Sequence, residues 1–194
     1  MNKTKRIIFQ TAVKLFAEKG YENTGIEEIT AVAGCAKGSL YYHFDTKEDL
    51  FDLVLEEGMK LLNNNIEIKF KTCKNALDKL KAIMMIQIKV IMKYEDFVTV
   101  IIDNTFGNTS RTLKCQKAVN NYVEKIEEVI KEGIKENIFY DGDAEGIAFG
   151  IFGITFSSLL YRLKKERNIT AEQIYNGYIE TVVRGITKIW KEQN

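Results

Sequence analysis

The chain contains no proline in its 194 residues. Helices can therefore run at length without a forced kink, and their ends must be marked by glycine, asparagine and capping side chains. Cysteine is scarce: Cys35, Cys73 and Cys115 stand 38 and 42 residues apart, an odd number without C-x-x-C spacing. That pattern fits neither a disulfide framework nor a zinc site. Histidine occurs once, at position 43, and there is no nucleophile elbow, phosphate loop or H-E-x-x-H. Enzyme chemistry is left without a constellation to carry it, and no metal or cofactor is implied. Net charge is nearly missing too, since 28 lysines and arginines against 27 aspartates and glutamates leave +1 at pH 7. A polyanion would have to be met by a local cluster of cations and not by a general basic field.

Long apolar runs are few. The longest uncharged stretch, Gly146 to Tyr161, falls short of the roughly 20 apolar residues that cross a bilayer and reads as a buried soluble helix. The start, "MNKTKRIIFQTAVKLF", lacks the small-residue cleavage site of a secretory signal and reads as an amphipathic helix, which places the protein in the cytoplasm. With 45% hydrophobic residues, the chain can bury one good core or a small domain beside a larger one.

What is present is concentrated in the first fifty residues. Ile8, Ala12, Leu15 and Phe16 recur at helical spacing, and Lys19 followed by Gly20 stops the run. Thr24 with Glu27 has the form of a capping box, opening a short second helix with Ile26, Ile29 and Ala33 on one side; such a cap contributes about 1 kcal/mol. Gly34 breaks that helix, and a third runs to about His43, which together make a helix-turn-helix. Thr46 with Asp49 then opens a fourth. Winding residues 36 to 44 as a helix puts Ala36, Leu40 and Phe44 on an inward stripe flanked by Lys37 and His43. Gly38, Ser39, Tyr41 and Tyr42 form the opposite face. Such a face can approach a major groove closely at the glycine, reach phosphates through hydroxyls and pack rings on thymine methyls. Exposed tyrosines can equally be solubilising, and His43 can equally be a packed histidine.

Residues 5 to 54, "KRIIFQTAVKLFAEKGYENTGIEEITAVAGCAKGSLYYHFDTKEDLFDLV", resemble the DNA-binding domain of the TetR family of bacterial transcriptional regulators. The likeness rests on "LFAEKGYENT", "IEEI", "AGCAKGSLYYHF" and "TKEDL" in the family's order and spacing. It implies that Lys37, Gly38, Ser39, Tyr41 and Tyr42 face the groove, that His43 and Lys47 meet phosphates, and that Thr24 adds a backbone contact. Ser39 stands where threonine is common. Cys35 replaces a usual aliphatic residue, and Ala36 replaces a serine that normally caps the recognition helix, so the start of that helix is expected to be loose. Cys35 beside Lys37 also leaves a thiol switch open as a reading.

The resemblance implies an all-α chain of about nine helices. A three-helix DNA-binding domain, residues 1–47, precedes a larger helical effector-binding and dimerisation domain, residues 48–194. By periodicity, helix four weakens or bends at "NNN", 63 to 65, and "IEIKFKT" continues it despite its strand-like alternation. Helix five spans about 75 to 94, a shorter one covers "EDFVTVIIDNTF", and helix seven follows the "GNTS" turn. Helix eight, about 143 to 166, is apolar nearly all round and is expected to be buried on most sides. The last helix runs from about 170 to 191.

Gly146, Gly150, Gly153 and Ser157 form a small-residue stripe on helix eight, and Gly177, Thr181 and Gly185 one on the last helix. Such stripes fit close helix contact, either within one chain or between two. The resemblance implies a homodimer built on these helices, and a helix-turn-helix that reads two half-sites needs two copies. Met84, Met85, Ile88, Met92, Phe97, Phe106, Tyr122, Phe149, Phe152 and Phe156 fall on helices that in the family surround a pocket for a small hydrophobic effector. Gln87 and Asn104 are candidate polar groups in it, with Tyr94 and Asn121. The expected function is a ligand-responsive repressor that binds a palindromic DNA operator and is released by effector. A helical small-molecule-binding protein that has lost DNA recognition is the alternative.

Overall fold

Apolar spacing of three and four residues persists through nearly every segment, and the structure, a computed structural model, answers it with helices. It describes residues 1–166 and 168–188. In chain order these form α1 (Lys3–Lys19), α2 (Ile26–Ala33), α3 (Lys37–Tyr41), α4 (Lys47–Phe70), α5 (Ala76–Lys93) and α6 (Glu95–Asp103). There follow α7 (Ser110–Lys135), α8 (Ala144–Phe156), α9 (Ser158–Lys164), α10 (Ala171–Ile174), a π-helical turn (Tyr175–Ile179) and α11 (Glu180–Ile186). Among the described residues the only β-type pairing is an isolated bridge between Phe139 and Thr187. The part of the expected last helix beyond residue 188, Ile189 included, lies outside the described residues.

The chain divides into two units, one of Met1–Leu61 and Tyr94–Ala118, the other of Leu62–Lys93 and the residues from Val119 onward. In the first unit α1 packs against α2, α3 and α6. Its buried stripe is the expected Ile8, Ala12, Leu15 and Phe16. Phe16, Tyr21 and Phe51 form an aromatic cluster, with Tyr21 5.1 Å from Phe16 and edge-on to Phe51 at 5.4 Å. Phe97 of α6 lies directly over the bare backbone of Gly58 in α4, where a β-carbon would stand 1.8 Å from the ring.

In the second unit α5 packs against α8, α9 and α10, burying Leu80, Ile83, Met84, Ile88 and Ile91. Gly133 of α7 is buried beneath Phe139, and a β-carbon there would come within 2.1 Å of the ring. Because Phe139 is only 1% exposed, it has little room to retreat. Gly133→Ala is expected to lower stability by about 1–3 kcal/mol through overpacking, read as a lower urea midpoint at unchanged slope.

α4 continues through the asparagines at 63 to 65 to Phe70, as expected, because Leu62 and Ile66, one turn apart, are both buried and carry the helix through. One helix differs from expectation. The apolar segment from residue 143 to 166 is not one helix buried on most sides. It breaks at Ser157, where hydroxyls back-bond to the ladder: Thr155 donates to the Ile151 carbonyl at 2.8 Å and Ser157 to that of Ile154 at 2.6 Å. Phe149 is 45% exposed and Leu160 66%, so one side of this segment faces outward. By length and composition Ala144–Lys164 would suffice to cross a membrane.

Candidate nucleic-acid interface

Gly34 makes the turn possible. Its left-handed backbone, φ 65°, closes α2 with its N–H on the Thr30 and Ala31 carbonyls, and α3 follows after two residues. Leu40 is fully buried and Phe44 nearly so, which pins α3 to the first unit by one side. Ala36, expected on that stripe, is exposed instead, because it precedes the helix with extended backbone, φ −69° and ψ 148°. No side chain caps α3, as the missing serine led us to expect. The opposite face is open: Tyr42 is 83% exposed and Tyr41 45%, and a β-carbon on Gly38 would meet nothing within 4 Å. Ser39 and His43 are half-buried, and the His43 ring stands edge-on to Tyr42 at 4.9 Å.

The surrounding charges are already engaged. Lys37 pairs with Glu27, whose hydrogen bond raises the lysine above its ordinary value, so Lys37 must exchange one anion for another to reach a phosphate. Lys47 donates to the carbonyls of Tyr21 at 2.9 Å and Thr24 at 3.0 Å. It thereby clamps the loop between α1 and α2, and one N–H is left for a phosphate. Thr46 and Asp49 form the expected reciprocal cap, amide to carboxylate at 2.9 Å and amide to hydroxyl at 3.1 Å.

Thr24 departs from both its expected roles. Gly25, not Thr24, precedes α2, and no side chain caps that helix. The Thr24 hydroxyl is buried and donates to the carbonyls of Gly20 at 2.8 Å and Leu15 at 3.2 Å. It closes the end of α1, so its side chain is not presented to a ligand. Thr24→Val is expected to cost about 1–3 kcal/mol by leaving buried carbonyls without a donor, and Thr24→Ser to restore most of it in the same thermal melt.

Two features near α3 were not singled out in the sequence. Lys5 lies 5.1 Å over the Phe44 ring, which brings the cations of "KTKR" at 3 to 6 beside the end of α3; their clustering was a readable signal. Arg111 stacks 3.7 Å over the Tyr21 ring, with the Lys47 ammonium 4.1 Å from the same ring. Its guanidinium also pairs with Glu22 and Glu48, and the neighbouring Tyr21 phenol holds Glu48 below the usual carboxylate range. Nothing in the local sequence marks Arg111, because its partners lie about 60 and 90 residues away.

Residues 8–54, from within α1 to within α4, match the model of the tetR family of bacterial regulatory proteins. That match covers the helix-turn-helix segment, which is similar to the family's DNA-binding domain. The chain is similar along its length to the HTH-type transcriptional repressor KstR2 of Mycobacterium tuberculosis, 25% identical over 191 residues that cover 97% of this chain and 95% of that one. The solved KstR2 structure, described as a ketosteroid transcriptional regulator, matches with a TM-score of 0.82 at 26% identity over 97% of both chains. A Clostridium perfringens chain assigned as a fatty acid metabolism regulator gives 0.86 at 26% identity, over 93% of this chain and 98% of that one. AibR, solved with isovaleryl coenzyme A and operator DNA, shares the fold at a TM-score of 0.78 and 23% identity, over 92% of this chain and 97% of that one.

The second unit brings part of the expected effector group together. Gln87 and Tyr122 are buried, and the Tyr122 phenol, raised above its ordinary value by burial, donates to Gln87 Oε1 at 2.9 Å. Gln87 Nε2 donates to the Phe152 carbonyl at 3.4 Å. Phe152 stands edge-on to Tyr122 at 6.0 Å and stacks on Phe156 at 6.2 Å. Met84 and Ile88 are core residues of α5, and the Met92 carbonyl accepts from Arg162 at 3.1 Å. Met85 lines a separate cleft with Lys69, Lys81 and Tyr175. Phe97, Asn104 and Phe106 belong to the first unit. There Phe97 covers Gly58, and the Asn104 amide donates to the Val100 carbonyl at 2.8 Å. Phe106 is 80% exposed in the turn after α6, and Phe149, 45% exposed, points outward from α8.

Of the small residues, Gly150, Gly153, Gly177 and Gly185 have nothing within 4 Å of an added β-carbon. Thr181 is exposed. Gly146 faces the Asp143 carboxylate of its own helix start, and Ser157 is half-buried at the break between α8 and α9.

Proposed function

We propose that this chain is a cytoplasmic, homodimeric transcriptional repressor that holds a palindromic operator with two copies of α3 and releases it on binding a mainly apolar effector. The observation that carries it is the outer face of α3. Large aromatic side chains stand in solvent on a helix whose other side is locked by Leu40 and Phe44, an arrangement with no benefit to the isolated fold. Gly38, Ser39, Tyr41 and Tyr42 meet the groove, and Lys37, His43 and the third N–H of Lys47 meet phosphates. Residues 1–47 supply recognition and 48–194 supply effector binding and dimerisation. Its likeness to the family and its lone histidine, placed beside Tyr42, support a regulator and not a catalyst.

The effector is read as an acyl compound, in line with the lipid-related relatives, its apolar part lying among Met84, Ile88, Phe152 and Phe156. The buried Gln87–Tyr122 pair offers the polar handle. Effector binding favours a dimer in which the two α3 copies depart from the spacing of about 34–36 Å that adjacent half-sites require. The exposed side of α8 and α9 serves the homodimer and not a bilayer.

Footprinting on the region upstream of its own gene tests this directly. A protected palindrome whose affinity falls steeply with salt supports the repressor. The uncapped start of α3 and the Lys37–Glu27 pair favour the alternative of a small-molecule binder without DNA recognition, and flat, salt-independent titrations would establish it. Tyr122→Phe should change the effector concentration that releases DNA while leaving effector-free affinity intact.

A further inference from the structure

The second unit holds a cleft of about 360 Å³ formed by the end of α4, the start of α5 and the π turn, sharing no residue with the Gln87–Tyr122 cluster. We propose that this cleft is a second small-molecule site, which takes a small carboxylate with an apolar tail. Tyr175 closes it. The residue is only 8% exposed, yet its hydroxyl has no hydrogen-bond partner among the described residues, a state that costs free energy until an acceptor or donor arrives. Burial, reinforced by Glu180, pushes the phenol up to about 12, so at neutral pH it holds its proton and the missing partner is an acceptor.

The charges around it define that acceptor. Lys69 and Lys81 line the cleft without an ion pair among the described residues. The one acid present, Asp78, already accepts from the Lys74 amide at 3.1 Å. Among the residues that line the cleft, two ammonium groups against one carboxylate leave a single positive charge for a monoanion to neutralise, while Glu180 acts on the phenol from outside the lining. Ala82 and Met85 provide the apolar wall, and methionine adapts to tails of different shape. The volume lies at the lower end of ligand pockets, about 300–1,000 Å³, which suits a free acid and not an acid still joined to a nucleotide-bearing carrier.

The test uses the full chain with sodium hexanoate as probe, followed by calorimetry and by the rate of maleimide labelling at Cys73, a half-buried thiol in the cleft. One hexanoate per chain is expected, with Cys73 protected and Cys35 labelled as before. Tyr175→Phe keeps the ring and should weaken binding about tenfold; Lys81→Met, at a half-buried position, should do the same, while Tyr122→Phe should leave it unchanged. Hexylamine should not compete. The proposal is overturned if both variants bind hexanoate as well as the parent, if Tyr122→Phe abolishes binding, or if hexylamine competes equally. Operator affinity measured in the same samples reports separately on the repressor function, so either can fail without the other.

Discussion

Gly153→Glu is expected to yield a folded chain that sediments as a monomer and binds operator at least about 100-fold more weakly, because one recognition helix forfeits most of the 10³- to 10⁷-fold margin of specific over non-specific binding. The position is open, with no atom within 4 Å of an added β-carbon, so the single chain has no reason to unfold. One turn earlier Phe149 is 45% exposed, an apolar group that a partner would cover. In a two-fold interface the same residue meets its copy or that copy's neighbour, so a carboxylate brings its own repulsion and is buried unpaired. Circular dichroism controls for folding and sedimentation reports assembly. A Gly153→Glu dimer that bound DNA normally would remove α8 from the interface.

Tyr42→Ala should weaken operator binding by about 5- to 150-fold, the range of one good base or groove contact of about 1–3 kcal/mol. Stability should move little, since the side chain is 83% exposed and substitutions at such positions usually stay within about ±0.5 kcal/mol. The contrast separates recognition from folding, as the buried neighbour Leu40 cannot be changed without disturbing both. Affinity should fall equally at low and high salt, because a tyrosine displaces no counterions. Full affinity in this variant would mean that α3 does not present the face described.

The helical fold was readable because its signals are local. The Ile8–Phe16 stripe, the Gly34 turn and the Thr46–Asp49 cap each depend on residues within one or two turns, and the structure shows all three. Thr24 was misread for an instructive reason. Threonine three residues before glutamate is a capping pattern, but the same hydroxyl had a better-buried use on the carbonyls that end α1, and only the tertiary fold discloses the competition. The break at Ser157 was hidden in the same way, since neither glycine nor proline marks it and two hydroxyls two residues apart do. Pairings assembled across distance were not legible: Arg111 over Tyr21, and Lys69 in one cleft with Tyr175, join segments far apart in sequence, and although Gln87 and Tyr122 were both expected near a pocket, their bond to each other was not. Phe106 and Phe149 were placed in a pocket on residue type alone, and type does not reveal which way a ring points.

The π turn at Tyr175–Ile179 closes with the Glu180 amide on the Tyr175 carbonyl, a five-residue step that takes up one residue more than an α turn. That surplus is held in a local bulge, so α10 and α11 keep their faces on either side of it. Deleting one residue there would merge them into an uninterrupted helix, whereas the same deletion in α5 would swing every later side chain by about 100° and take Gln87 away from Tyr122. A one-residue deletion confined to this turn is therefore expected to keep the architecture while removing the bulge that carries the Tyr175 hydroxyl.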